Sequence, residues 1–214
     1  RLRAPRADFT SFFIGGGTYS IPRAFALHGT GPVTVAEIDP AVTEAAVRDF
    51  WFDPATARIL HEDARRALRI RPETYDVVIG DAFTDIAVPA HLITREFFTL
   101  VRERLTPGGS YLMNVIDFED RLDALGAVTR TLAEVFPVVE VWTVQANPAP
   151  GARMVFVVAA GDRPTPVSRF AVPSPDRTVF GALADGFVAE IMGRGDLILT
   201  DDFAPIDRLM GPGR

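Results

Sequence analysis

A chain of 214 residues, 48% hydrophobic and 23% charged, is long enough for one sizeable domain and has the composition of a soluble globular protein. Its net charge of −6, from 22 basic and 28 acidic residues, argues against nucleic acid as a partner, because phosphate binding wants a basic face. It has no cysteine, and all 22 basic residues are arginine, which excludes disulfides, thiolate metal sites, cysteine nucleophiles, Schiff-base lysines and a P-loop lysine.

No apolar run reaches the roughly 18 residues of a membrane span, and no signal peptide is visible. The first residue is Arg1 rather than Met, so the chain is expected to be a processed or excised piece. The expected location is the cytoplasm, with direct membrane insertion not expected. The domain being the soluble part of a membrane-anchored protein is the alternative.

Strand-like and helix-like segments alternate from the start. Phe12 to Ile14 closes a first strand, and Gly15-Gly16-Gly17 follow it. Ile21 to His28 reads as a helix with Ser20 as N-cap and Pro22 in the first turn. Val33 to Ile38 is a second strand, and Pro40 to Phe50 a helix with Val42, Ala45, Ala46 and Phe50 on one face. Arg58 to His61 is a short third strand, followed by a helical turn through Ala67. Tyr75 to Gly80 is a buried-type fourth strand. Ile93, Phe97, Leu100, Val101 and Leu105 mark a helix face that Pro107-Gly108-Gly109 ends. Ser110 to Ile116 is a fifth strand and Leu122 to Val135 a helix; Val138 to Val144 and Met154 to Ala159 read as a strand pair around NPAPGA. Residues 161–176 are proline-rich and read as a connector. Phe180, Leu183, Ala184, Phe187, Val188 and Ile191 read as a helix stripe, core or dimer contact.

Repeated β-α alternation implies a parallel sheet with helices on both faces. The expected fold class is α/β, a Rossmann-like class I methyltransferase fold. Its sheet should be mostly parallel and seven-stranded, closed by an antiparallel hairpin. Residues 1–160 are expected to form the nucleoside-binding catalytic domain. Residues 161–214 are expected to be connector, helix and tail packing on it.

Ligands of such sheets bind beyond the carboxyl ends of the strands. The first strand ends in the three glycines, which let the backbone bend sharply and a ligand approach closely. The second ends in AEID, placing Glu37 20 residues past Gly17, where a carboxylate accepts hydrogen bonds from both ribose hydroxyls. The third leads into HEDA, placing Asp63 where an adenine amino group is met. The fourth ends in GDAFTD, placing Asp81 and Asp85 over the centre. A dinucleotide dehydrogenase would carry G-x-G-x-x-G, but the third glycine position is Ser20 and no second domain follows. A sulfonium nucleoside is the other nucleotide that suits the pattern.

The run FIGGGTYSIPRAF, VTVAEIDPAV, HEDARRAL, YDVVIGDAFTD and HLITREFFTLVRERLTPGGSYLMNV resembles the spermidine synthase (polyamine aminopropyltransferase) family, over residues 9 to 117. It is especially similar to bacterial spermidine synthase-like proteins, and the terminal TDDFAPID shares that likeness. The resemblance implies aminopropyl transfer from decarboxylated S-adenosylmethionine to a diamine such as putrescine, without a metal. Gly15, Gly16, Gly17 and Thr18 would line the methionine-derived part of the donor. Glu37 and Ile38 would flank the ribose, Asp63 and Ala64 would meet the adenine, and Asp81 and Asp85 would handle the amine.

Three departures bear on that implication. The family's second aspartate lies three residues after the first, whereas here residue 84 is threonine and the aspartate is Asp85. The family's aspartate after the glycines is Thr18 here, which weakens discrimination against the ordinary donor's carboxylate. The family's N-terminal hairpin, which helps hold the diamine, is expected to be absent, because the chain starts just before the first strand. A methyltransferase using ordinary S-adenosylmethionine is therefore the alternative, and a non-catalytic nucleotide-binding domain of a larger membrane protein the second. The small-molecule partner is an amine, and a homodimer is the expected assembly if the chain self-associates.

Other residues read as structural. His28, His61 and His91 are too scattered for a metal triad, with His91 the one close to the Asp81 segment. Phe50-Trp51-Phe52 reads as core packing, with flanking of the adenine as the alternative. Asp201-Asp202 reads as capping or as folding back on the core rather than as a metal pair, and the family resemblance implies that this segment packs near the mouth of the site.

Overall fold

The computed structural model describes residues 2–83, 88–144, 148–172 and 178–210. Ser11–Ile14 (β1), Val33–Ala36 (β2), Arg58–Leu60 (β3), Tyr75–Gly80 (β4) and Leu105–Phe118 (β5) form the parallel half of one sheet. Val138–Val144 (β6), Arg153–Gly161 (β7), Arg169–Ala171 (β8) and Val179–Ala182 (β9) complete it in the order β3-β2-β1-β4-β5-β7-β6-β9-β8. Only β7 and β9 run against the other strands.

β1 and β4 are buried along their whole length, as a parallel sheet covered on both faces requires. Their side chains alternate between two cores. Phe12, Ile14 and Val78 join one with Phe97, Phe98 and Tyr111; Phe13, Val77 and Ile79 join the other with Val35 and Tyr19. Helices Ser20–Leu27 (α1) and Pro40–Asp49 (α2) contribute Phe25 and Val42 to the second core. Ala64–Ile70 (α3), Arg95–Glu103 (α4) and Asp123–Ala133 (α5) cover the first. α4 buries Phe97, Phe98 and Val101 completely, an apolar stripe at helical spacing.

β1 to β7 give the seven strands expected, with β6 and β7 as the closing hairpin. The sheet then continues through β9 and β8, which the sequence reading missed. The connector reading of 161–176 overlooked β8, three exposed residues among prolines. Phe180 belongs to β9, not to a helix; its ring stacks on that of its cross-strand partner Phe170, centroids 5.6 Å apart. The helix itself is Asp185–Gly193 (α6), which takes Phe187, Val188 and Ile191 from the proposed stripe. Ile206–Met210 (α7) follows near the end. Arg130 of α5 donates to the carbonyls of Met192 and Leu197, tying the segment after α6 to the sheet-covering helices.

Register places the site. Ile14 of β1 pairs with both Ala36 of β2 and Gly80 of β4, and Ala36 pairs with Leu60 of β3. The carboxyl ends of four strands are therefore level, so the residues after each leave the sheet side by side. Gly80 also pairs with Met113 of β5, which brings Asn114 alongside Asp81.

The opposite end is braced by Asp76, whose side chain is nearly inaccessible. One carboxylate oxygen accepts from Thr10 N at 2.8 Å and Arg6 Nε at 2.9 Å, the other from Thr106 Oγ1 at 2.6 Å. Burial pushes this carboxyl up, but Thr106, Thr10 and Arg6 outweigh it and hold it below the ordinary 3.8. A depressed folded value stabilises fully above the unfolded value and is lost as pH falls through the folded one. Asp76→Asn should lower stability by about 2–3 kcal/mol at pH 7 and flatten the loss of stability below pH about 4. Urea denaturation at pH 7 and pH 3 checks both effects.

Candidate functional site

The glycine turn is shaped by what lies under it. Gly15 has φ 90° and Gly17 φ 52°, backbone that L side chains rarely adopt. A Cβ on Gly16 would stand 2.3 Å from the Tyr19 ring. That ring is fully buried, stacks on Phe52 at 4.2 Å and has its hydroxyl 2.7 Å from Thr43 Oγ1. Such fixation holds Tyr19 at φ 55°, and Tyr19 rather than the expected Ser20 is the N-cap of α1. Ser20 is the first helical residue, its hydroxyl 2.8 Å from Thr18 Oγ1 instead of on the backbone.

Glu37 is buried at the end of β2. Oε2 accepts from Gly16 N and Oε1 from Asp39 N, each at 2.9 Å. The carboxylate thus couples the glycine turn to the start of α2, which Asp39 caps through Ala41 N. Asp63 caps α3, with Oδ1 accepting from Arg66 N at 2.8 Å, while Oδ2 stands 2.7 Å from His91 Nε2. Burial pushes the Asp63 carboxyl up, yet the Arg66 N–H, His91 and the charge of Arg65 leave it below the usual range. Asp81 caps no helix among those described. Its backbone N–H donates to Ile14 O, and Oδ1 accepts from Asn114 Nδ2 at 3.1 Å.

These groups surround a cavity of about 440 Å³ at the carboxyl ends of the strands. Gly15, Gly17, Glu37, Ile38, Asp63, Ala64 and Asp81 all line it. Gly16 lies beneath and contributes its N–H to Glu37; Thr18 is engaged with Ser20. Asp85 lies outside the described residues. A larger hollow of about 550 Å³ sits at the other end of the sheet, beside the Arg58–Glu73 ion pair, away from the switch point.

Among the described residues lining the site cavity, four are carboxylates (Glu37, Glu62, Asp63 and Asp81) and none is arginine. Glu62 is neutralised by Arg71 and Arg66, and Arg71 chiefly holds it below the usual carboxylate range. The other three are held by backbone N–H groups, His91 and Asn114 instead of by arginine side chains. Sequence reasoning missed Asn114 and the part played by His91. A polar residue in the otherwise apolar LMNVI strand was the available signal for the first.

The C-terminal segment reaches this region. Asp201 receives both Nη atoms of Arg65 at 2.6 and 2.5 Å and the Thr94 hydroxyl at 2.7 Å. Its own N–H donates to Glu96 Oε2. Asp201 is therefore an ion-pair and hydrogen-bond anchor that folds the C-terminal segment back against α3 and the start of α4, the second of the two readings of this pair, and not a helix cap. Phe52 is core, but Trp51, at φ 55°, is 81% exposed and Phe50 half-exposed, which corrects the reading of that triplet as packing.

Level strand ends, a glycine turn and a carboxylate after the second strand define a Rossmann-like domain of class I methyltransferase type. The solved structure of a probable spermidine synthase from Corynebacterium glutamicum superposes with TM-score 0.75 over 92% of this chain and 73% of that one, at 22% identity. The chain belongs to the spermine/spermidine synthase family, whose domain model matches residues 12–168. A probable polyamine aminopropyl transferase of Bifidobacterium longum is 35% identical over 105 residues, 49% of this chain and 23% of the relative. An N-terminal histidine N-methyltransferase of Emericella nidulans is 30% identical over 182 residues, 80% of this chain and 32% of the relative. These curated relatives are thus matched over a third of their length or less. No helix of the described residues is long and apolar enough to cross a membrane.

Proposed function

We propose that this domain transfers the aminopropyl group of decarboxylated S-adenosylmethionine to a diamine such as putrescine. The observation that carries the proposal is the sign of the cavity. Among the described residues its lining offers carboxylates at Glu37, Asp63 and Asp81 and no arginine, which suits a sulfonium donor with a free ammonium and a cationic acceptor. An ordinary donor would bring a carboxylate among these charges.

Glu37 holds the ribose, and Ile38 packs beside it. Asp63 and Ala64 meet the adenine, and the Gly15–Gly17 turn takes the chain carrying the sulfonium. A neutral acceptor amine attacks the methylene carbon next to sulfur, the carbon–sulfur bond breaks, and methylthioadenosine leaves neutral. The attacking end of the diammonium acceptor first gives up a proton to a carboxylate of the Asp81 loop, and the product keeps the positive charge as a secondary ammonium. Asp81 binds the ammonium ends of the acceptor, and Asp85 is assigned the proton by the family resemblance.

A second reading, methyl transfer from ordinary S-adenosylmethionine, draws on Thr18 standing where the family carries aspartate and on the likeness to a histidine N-methyltransferase. Calorimetric titration with the decarboxylated donor, the ordinary donor and methylthioadenosine separates the two. Preference for the decarboxylated donor by at least about tenfold, 1.4 kcal/mol, is expected. Preference for the ordinary donor replaces the proposal with the second reading, and binding of none of the three removes both.

A further inference from the structure

Building on the proposed adenosine site, we infer that His91, acting through Asp63, makes the cavity selective for a 6-amino purine over a 6-oxo purine. Both side chains line the cavity beside Ala64 and Ile38. His91 Nε2 is 2.7 Å from Asp63 Oδ2, and a carboxylate has only acceptors, so Nε2 carries the proton. Oδ1 is already committed to Arg66 N. The carboxylate is held at both oxygens, and what remains of Oδ2 is an acceptor of fixed direction.

His91 is itself held. It sits in the short 3₁₀ turn Ala90–Leu92, anchored by buried Leu92. Its carbonyl accepts from Arg65 Nη1 at 3.1 Å, and Arg65 is gripped by Asp201 from the C-terminal segment. Asp201 also accepts from Thr94, three residues beyond His91. The groups facing His91 are therefore Asp63 through the side chain and the Arg65–Asp201 pair through the backbone. This bracing makes it a positioning residue, not a surface histidine in passing contact.

The selectivity follows from hydrogen-bond polarity. The exocyclic 6-amino group donates, and an ionised carboxylate accepts it; a 6-oxo group presents a second acceptor and is repelled. That discrimination needs Asp63 ionised and correctly turned. Removing the His91 N–H removes one of the partners that offset burial and favour the ionised form. Without that N–H, Oδ2 loses its fixed direction and can turn away from the base, so selectivity would fall.

The test is calorimetry with 5′-methylthioadenosine and 5′-methylthioinosine on the wild-type domain, His91→Phe and His91→Gln. Phenylalanine keeps a ring but has no donor, while glutamine restores an N–H. His91 is half-exposed, so both variants are expected to fold, and thermal melts of each check this. The wild type should prefer the adenosine compound, His91→Phe should lose about tenfold of that preference, and His91→Gln should keep most of it. An unchanged preference in His91→Phe, or an equal loss in His91→Gln, overturns the inference alone. No binding of methylthioadenosine to the wild type overturns the adenosine site and the inference together.

Discussion

Asp81→Asn should lower aminopropyl transfer by about 10²–10⁴ in kcat/KM while leaving methylthioadenosine affinity within about threefold. The substitution is nearly isosteric, and the local contacts survive it. An asparagine carbonyl still accepts from Asn114 Nδ2, and the backbone N–H at position 81 still donates to Ile14 O. What disappears is a negative charge at the end of β4, where a diammonium acceptor must lie beside the sulfonium carbon. The loss belongs to the acceptor, so KM for the amine should rise and kcat should fall, while a ligand without the amine is indifferent. Coupled assays of methylthioadenosine release, with calorimetry on the same samples, separate the two. A loss of less than tenfold in turnover would remove Asp81 from the amine site. A parallel collapse in nucleoside binding would show that Asp81 acts by shaping the glycine turn, whose Gly15 lies against the Asp81 carbonyl.

The plan of the sheet was legible because its physical cause is periodic. Buried strands alternating with one-sided helices force a parallel sheet, and the carboxylates Glu37, Asp63 and Asp81 fall after strands two, three and four. What was not legible depends on contacts between distant segments. Tyr19 caps α1 in a left-handed conformation because Phe52 and Thr43 bury its ring and hydroxyl. Local propensity favours Ser20 instead. The triplet Phe50-Trp51-Phe52 reads as uniformly apolar, but the positive φ at Trp51 turns one aromatic out as the next turns in. Phe180 fits a helical stripe by spacing, yet pairing with Phe170 across the sheet decides its conformation. His91 lies 28 residues from Asp63, and Asp201 lies 136 from Arg65. Nothing in the chain between them signals either pairing.

Glu37→Gln is the second large effect, and it tests the ribose assignment without needing turnover. The carboxylate gives one oxygen to Gly16 N and the other to Asp39 N. A carboxamide has a single oxygen, so whichever way it is turned its NH₂ confronts one of those N–H groups. One part-buried donor loses its partner, at a cost of about 1 kcal/mol in stability. The glycine turn loosens or the start of α2 does. Binding suffers separately, because charge-assisted hydrogen bonds to ribose hydroxyls become neutral or are lost. Methylthioadenosine affinity should fall by about 10- to 100-fold. The two effects are separated by a cycle with 2′-deoxy-methylthioadenosine. In the wild type, removing the 2′-hydroxyl should weaken binding by about tenfold, since it leaves a buried carboxylate lone pair without a donor. In Glu37→Gln the same removal should cost little, because the interaction it deletes is already gone. If the deoxy penalty is equal in both proteins, Glu37 does not hold the ribose. Its place in the fold is then that of a buried link between the glycine turn and α2, and the nucleoside must lie elsewhere along the level strand ends.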